Sequence, residues 1–190
     1  MDPEYKKSIL KYYDNTRLDY GILWYRKNNN SVHFGYYDDD VTSHGDALLK
    51  LNQVMANKVD IGDGDVILDA GCGRGESALW LADTYDVKVE GITLVPHQVA
   101  KAKKQAEKRG LGDKVNFSEQ NYCQTNFEDE SFSVIWACES MCHAQHKIDF
   151  YKEVYRLLKP GGRLICADYI RTQRPHDDEG EALLHSWLGS

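Results

Sequence analysis

The residues best suited to chemistry crowd one short stretch, Leu68-Asp69-Ala70-Gly71-Cys72-Gly73-Arg74-Gly75-Glu76. Closely spaced glycines carry meaning only in context, and here they follow the apolar run Val66-Ile67-Leu68 and open a helical pattern. A nucleoside triphosphate needs a Lys-Ser or Lys-Thr pair after the last glycine, and none follows. A dinucleotide needs a glycine where Glu76 stands. Asp69 and Glu76 would also repel a pyrophosphate. They suit a cation instead, in a hollow floored by backbone amide hydrogens and rimmed by carboxylates.

A second group is Cys138-Glu139-Ser140-Met141-Cys142-His143-Ala144, which follows another apolar run. Glu139 and His143 are the side chains there that can take a proton near neutral pH. Cys138, Cys142 and His143 lack a fourth ligand and a zinc-like spacing, so no metal is expected. Asp38-Asp39-Asp40 reads as a solvated turn rather than a metal cluster.

These groups need elements to place them. Helices are expected near 4–14, over about 44–59 behind a Ser43 cap, near 75–85, from Pro96 to about 109, and near 146–159. Strands are expected at 66–68, 87–94, 115–122, 132–137 and 163–170, with Lys159-Pro160-Gly161-Gly162 as the turn before the last. Strands separated by helices imply parallel pairing with helices on both faces. The fold class is therefore α/β, a doubly wound, mostly parallel sheet, with its ligand crevice at the carboxyl ends of the strands. Residues 1–43 read as an aromatic arm or substrate cap, and 44–190 as the core.

The composition narrows the partners. The chain has 190 residues, of which 30 are acidic and 23 basic, giving a net charge of −7. That balance argues against a general nucleic-acid binder, whose phosphate contacts need a basic face. The cluster Lys101, Lys103, Lys104, Lys108 and Arg109 reads as the solvated face of a helix. No apolar run approaches the roughly 18 residues of a membrane span. Five cysteines without a CxxC pair suit reduced thiols, hence a cytoplasmic setting.

The stretch Leu68-Asp69-Ala70-Gly71-Cys72-Gly73-Arg74-Gly75 resembles the first motif of the Rossmann-like methyltransferases that use S-adenosyl-L-methionine and release S-adenosyl-L-homocysteine. Further matches recur in order to residue 170. The resemblance implies that Asp69, Gly71, Cys72 and Gly73 line the cofactor site. Thr93, Leu94 and Gln98 would face the ribose, although many relatives carry an acidic residue where Thr93 stands. Asn121 would meet the adenine amino group through its carbonyl, Tyr122 would pack beside the ring, and Ala137 and Cys138 would meet the methionine moiety.

Glu139-Ser140-Met141-Cys142-His143-Ala144 is similar to the corresponding stretch of sterol methyltransferases. Val32-His33-Phe34-Gly35-Tyr36-Tyr37-Asp38 is similar to an aromatic segment of the sterol, tocopherol and terpene subgroup. This implies a small-molecule acceptor, with C-methylation of an isoprenoid- or sterol-like alkene in front. N- or O-methylation of an amine, phenol or sugar, or cofactor binding without turnover, remain alternatives. For an alkene, aromatic faces could stabilise the cation left by attack, by up to about 2 kcal/mol each. Tyr13, Tyr20, Trp24, Phe34 and Tyr36 are the arm's candidates for substrate contact. Glu139 or His143 would then take the proton. Relatives carry two further strands, and the Gly-Ser end has the look of an expression scar, so a C-terminally shortened form is expected. The sheet edge beside the fifth strand would then be exposed, paired with a second copy in a homodimer, or filled by a rearranged segment.

Overall fold

The computed structural model describes residues 1–16, 31, 33–169 and 177–182. Five strands form one sheet in the order β3-β2-β1-β4-β5, every neighbouring pair parallel. They are β1 (Val66–Ala70), β2 (Lys88–Thr93), β3 (Val115–Glu119), β4 (Phe132–Cys138) and β5 (Leu158–Ala167). The helices are α1 (Pro3–Asn15), α2 (His44–Lys58), α3 (Glu76–Tyr85), α4 (Pro96–Arg109) and α5 (Lys147–Leu157), with a 3-10 turn over Met141–His143. A helical stretch over 178–182 follows.

The central strands are buried on both faces, which is why they read as continuous apolar runs rather than alternating ones. Successive side chains then feed two cores. Ile67 and Trp136 join Met55, Leu79, Leu81, Val89, Ala102 and Phe117 on one face. Leu68 and Ile135 join Ile92, Phe150, Val154 and Leu157 on the other. Gly91 in β2 allows this packing, because a Cβ there would overlap the ring of Phe117.

Helix starts follow the local signals. Asp2 caps α1, its carboxylate accepting from the Glu4 and Tyr5 amides at 2.8 and 3.3 Å. Ser43 caps α2 by accepting from the Asp46 amide at 3.2 Å, while its hydroxyl donates to the Asp46 carboxylate at 2.6 Å.

The expected turn over residues 159–162 is a correction. Those residues fall within β5, whose pairing with β4 runs from Phe132–Leu158 directly to Val134–Arg163 through a register shift. The extra residues bulge because Pro160 has no amide to donate and Gly161 takes φ +76°. β5 also ends earlier than expected, at Ala167, and Ile170 lies outside the described residues. Among the described residues no further strand joins β5, and no helix is long and apolar enough to cross a membrane.

Candidate functional site

A cavity of about 400 Å³ opens where the carboxyl ends of β1, β2 and β4 meet, with residues of α1 and Ser31, His33 and Phe34 also lining it. That is the crevice position a doubly wound sheet provides. Asp69, Gly71, Cys72 and Gly73 line it, together with Thr93, Leu94, Gln98, Tyr122, Cys138, Glu139 and His143.

The glycine turn is built by close approach. Gly71 has φ +99°, and a Cβ on it would strike the Ser140 side chain. Gly75, at φ +82°, caps α3 and faces Phe117 and Ala102 with equally little space. The expectation of a floor of free amide hydrogens is corrected in part. The Gly71 and Cys72 amides both donate to the Ile92 carbonyl at 2.9 Å, and the Gly75 amide donates to the Cys72 carbonyl at 2.8 Å. The turn is locked to β2 by hydrogen bonds that a sequence cannot display.

Its carboxylates differ from one another. Asp69 is 2% exposed, one carboxylate oxygen has no hydrogen-bond partner, and burial pushes its pKa up to about 7. Glu76 binds Arg109 at 2.6 Å through one oxygen, while the other is buried without a partner. Arg74 also lines the cavity and is buried. The thiols of Cys72, Cys138 and Cys142 are held protonated, burial raising all three and pushing Cys142 up to about 12.

On the β2 side, the Thr93 hydroxyl donates to the Gln98 side-chain carbonyl at 2.8 Å, which fixes the orientation of the Gln98 amide at the cavity wall. Tyr122 donates to the Ser140 carbonyl at 2.8 Å and packs edge-on against Phe150. Asn121 is placed differently. Its side-chain carbonyl accepts from the Cys123 amide at 3.0 Å in a turn, and it does not line the cavity. Ala137 is fully buried in the core, with Cys138 beside it at the wall.

Glu139 has φ +49° and its oxygens are both engaged. One accepts from the Phe34 amide at 2.8 Å, the other from the Tyr169 hydroxyl at 2.7 Å. The Phe34 and Tyr169 rings meet edge to face. Burial raises the Glu139 pKa, while these two donors pull it back. His143 meets the Tyr13 hydroxyl through Nε2 at 3.0 Å, and burial lowers its pKa. Cys142, beside it, donates its amide to Asp168 at 2.8 Å, which anchors the 3-10 turn to the end of β5.

Of the expected substrate contacts, Tyr13 and Phe34 line the cavity. Tyr36 does not, being 45% exposed, and its amide instead donates to the Ala47 carbonyl of α2. Tyr20 and Trp24 lie outside the described residues. The structure adds Ile9, Tyr12, Ser31, His33, Ser140 and Tyr169 to the wall. A sequence signal existed for His33, within the quoted aromatic segment, but none for Tyr169, which only the course of β5 brings there.

A doubly wound α/β sheet with a glycine turn after β1 and an acid-lined cavity at its carboxyl edge defines a class of small-ligand-binding proteins of the Rossmann-like kind. Within that class, the chain belongs to the methyltransferase domain family, whose profile matches residues 68–166. It is 34% identical over 160 residues to the 27-O-demethylrifamycin SV methyltransferase of Amycolatopsis mediterranei, covering 84% of this chain and 57% of that protein. It is 30% identical over 179 residues to the sterol 24-C-methyltransferase of Saccharomyces cerevisiae, covering 94% of this chain and 45% of that protein. The crystal structure of the (4+2)-cyclase SpnF superposes with a TM-score of 0.78 at 30% sequence identity, over 86% of this chain and 60% of that one. The chain thus spans about half the length of the curated relatives it matches.

Proposed function

We propose that this protein moves a methyl group from S-adenosylmethionine to a small organic acceptor. The observation that carries the reading is Asp69, a buried carboxylate with an unpaired oxygen at the wall of a glycine-turn cavity. An isolated buried anion is costly, and a cationic ligand removes that cost. Bound there, S-adenosylmethionine would supply an electrophilic methyl group on a sulfonium centre. Asp69 would face its positive charge, the Gln98 amide would donate to ribose hydroxyls, and Tyr122 would form an apolar wall.

The arm side does the positioning. Glu139 joins the arm at Phe34 to Tyr169, just past β5, so it acts as a latch rather than as an open base. Tyr13 and His143 tie α1 across the cavity mouth. Excluding water and fixing the acceptor is the main catalytic task when the donor is already activated. The sterol 24-C-methyltransferase likeness supports C-methylation, and the 27-O-demethylrifamycin likeness supports a hydroxyl acceptor.

A second reading is a bound cofactor without methyl transfer, which the likeness to a (4+2)-cyclase supports. Calorimetry with S-adenosylhomocysteine and with NAD, followed by turnover with a labelled methyl donor over alkenes, phenols and amines, tests both. The expected result is binding of the first ligand, none of the second, and label in an acceptor. Tight NAD binding alone would overturn the proposal, and S-adenosylhomocysteine binding without label transfer would favour the second reading.

A further inference from the structure

Among the described residues two imidazoles line the cavity, and they are in different states. His143 Nε2 is already within hydrogen-bond distance of the Tyr13 hydroxyl. His33 is 6% exposed, and its Nε2 is buried without a hydrogen-bond partner. Its other nitrogen, Nδ1, is 2.8 Å from the Phe34 carbonyl. A carbonyl only accepts, so Nδ1 carries the proton and Nε2 presents a bare lone pair. Burial lowers the His33 pKa, which favours this neutral form. The ring cannot drift, because the Phe34 amide is fastened to Glu139 at 2.8 Å and Phe34 packs on Tyr169.

An acceptor atom left unsatisfied in a buried wall costs about 1–3 kcal/mol, and a donor group on a ligand filling the cavity would relieve it. The core wall carries the groups suited to the cofactor, Asp69 and Gln98. His33 comes to the lining from the arm, as do Tyr13 and Phe34. An alkene offers no donor to Nε2; an alcohol or phenol does.

We infer that the methyl acceptor is a hydroxyl compound whose O–H donates to His33 Nε2, which makes His33 its specificity-determining contact. This rests on the methyltransferase reading above and narrows its substrate class. The hydrogen bond aims the oxygen's lone pairs into the cavity. When the hydroxyl proton leaves, the O–H bond breaks with its electron pair staying on oxygen, a new N–H bond forms on Nε2, and the imidazolium later gives that proton to water.

The test uses the whole chain saturated with S-adenosylhomocysteine and titrated with small phenols and alcohols, each paired with its own methyl ether. At least one hydroxyl probe should bind about tenfold or more tightly than its ether, a gap of the size one lost buried hydrogen bond produces. His33→Phe should abolish that gap, and His33→Gln, which keeps an acceptor, should restore most of it. Nitrogen-15 spectra of the wild-type ring should show Nε2 unprotonated and shifting when the hydroxyl probe is added, a readout independent of whether a variant folds. Equal binding of hydroxyls and ethers, an Nε2 that carries the proton, or a tenfold loss of S-adenosylhomocysteine affinity in His33→Phe would each overturn the inference, the last by making His33 a cofactor contact. Failure of the wild type to bind S-adenosylhomocysteine would instead strike the methyltransferase reading, and this inference would fall with it.

Discussion

Asp69 is the residue on which electrostatics and function meet. Burial holds its folded pKa up at about 7, against roughly 3.9 for a free aspartate, so between those values the folded chain holds a proton that the unfolded chain has lost. Stability therefore falls as pH rises through that window, by an amount on the order of 4 kcal/mol at the upper end. Asp69→Asn is expected to raise the melting temperature at pH 8 and change it little at pH 4, which thermal unfolding at the two pH values measures. The same substitution should weaken S-adenosylhomocysteine and S-adenosylmethionine binding. A cation beside Asp69 lowers its pKa, so wild-type binding near pH 7 should release about half a proton. Calorimetry in buffers of different ionisation enthalpy reads that release, and it should vanish in Asp69→Asn. Gly71→Ala offers a steric counterpart. With φ at +99° and Ser140 in the path of the new Cβ, it should cost more than about 2 kcal/mol and abolish ligand binding.

Among the elements, α1 and residues 33–38 work as a cover pinned at a few points. Glu139 holds the cover from the core side, and α1 is fixed by Asp2 to Gln145 at 3.0 Å and by Tyr13 to His143. Glu139→Ala should free the Phe34 amide, seen as at least a tenfold rise in its hydrogen-exchange rate, while Glu139→Gln, which keeps an acceptor, should largely preserve protection. A Glu139→Gln variant with normal protection but no turnover would restore the expectation that this carboxylate removes a proton. Asp2→Ala removes the α1 cap and should destabilise that helix by about 1 kcal/mol. Limited proteolysis should then cut the arm faster without changing the global melting temperature.

For the whole molecule, the open question is the flank of β5. Its residues Leu164, Ile165 and Cys166 are only half-buried, whereas β4 beside it is almost wholly enclosed. Among the described residues nothing pairs with the outer side of β5, and an apolar strand left so is a template for pairing, so the chain as given is expected to self-associate through β5. Sedimentation over a wide concentration range checks this, and a mass that stays at one chain would end the pairing idea. Substituting Lys for Leu164 should shift any association toward monomer, because a charge on an edge opposes strand pairing.

What the sequence determined by itself was the alternation of elements and the place of the crevice. Apolar runs such as Val66-Ile67-Leu68, and helix starts such as the Ser43 cap and Pro96 in the first turn, act over a few residues and are written directly in the chain. The glycine turn was legible for the same reason, since its positive φ angles demand that residue type locally. Long-range pairing was not legible. Nothing in the sequence says that the Asn121 carbonyl is spent on a neighbouring amide, that the Lys159–Gly162 segment bulges inside a strand, or that Tyr36 turns away from the cavity. The state of each polar atom is a property of its surroundings. Glu139 becomes a latch only because Phe34 and Tyr169 arrive from 105 residues before it and 30 after. His33 becomes a bare acceptor only because burial removes water from Nε2 while Phe34 takes the ring's one proton.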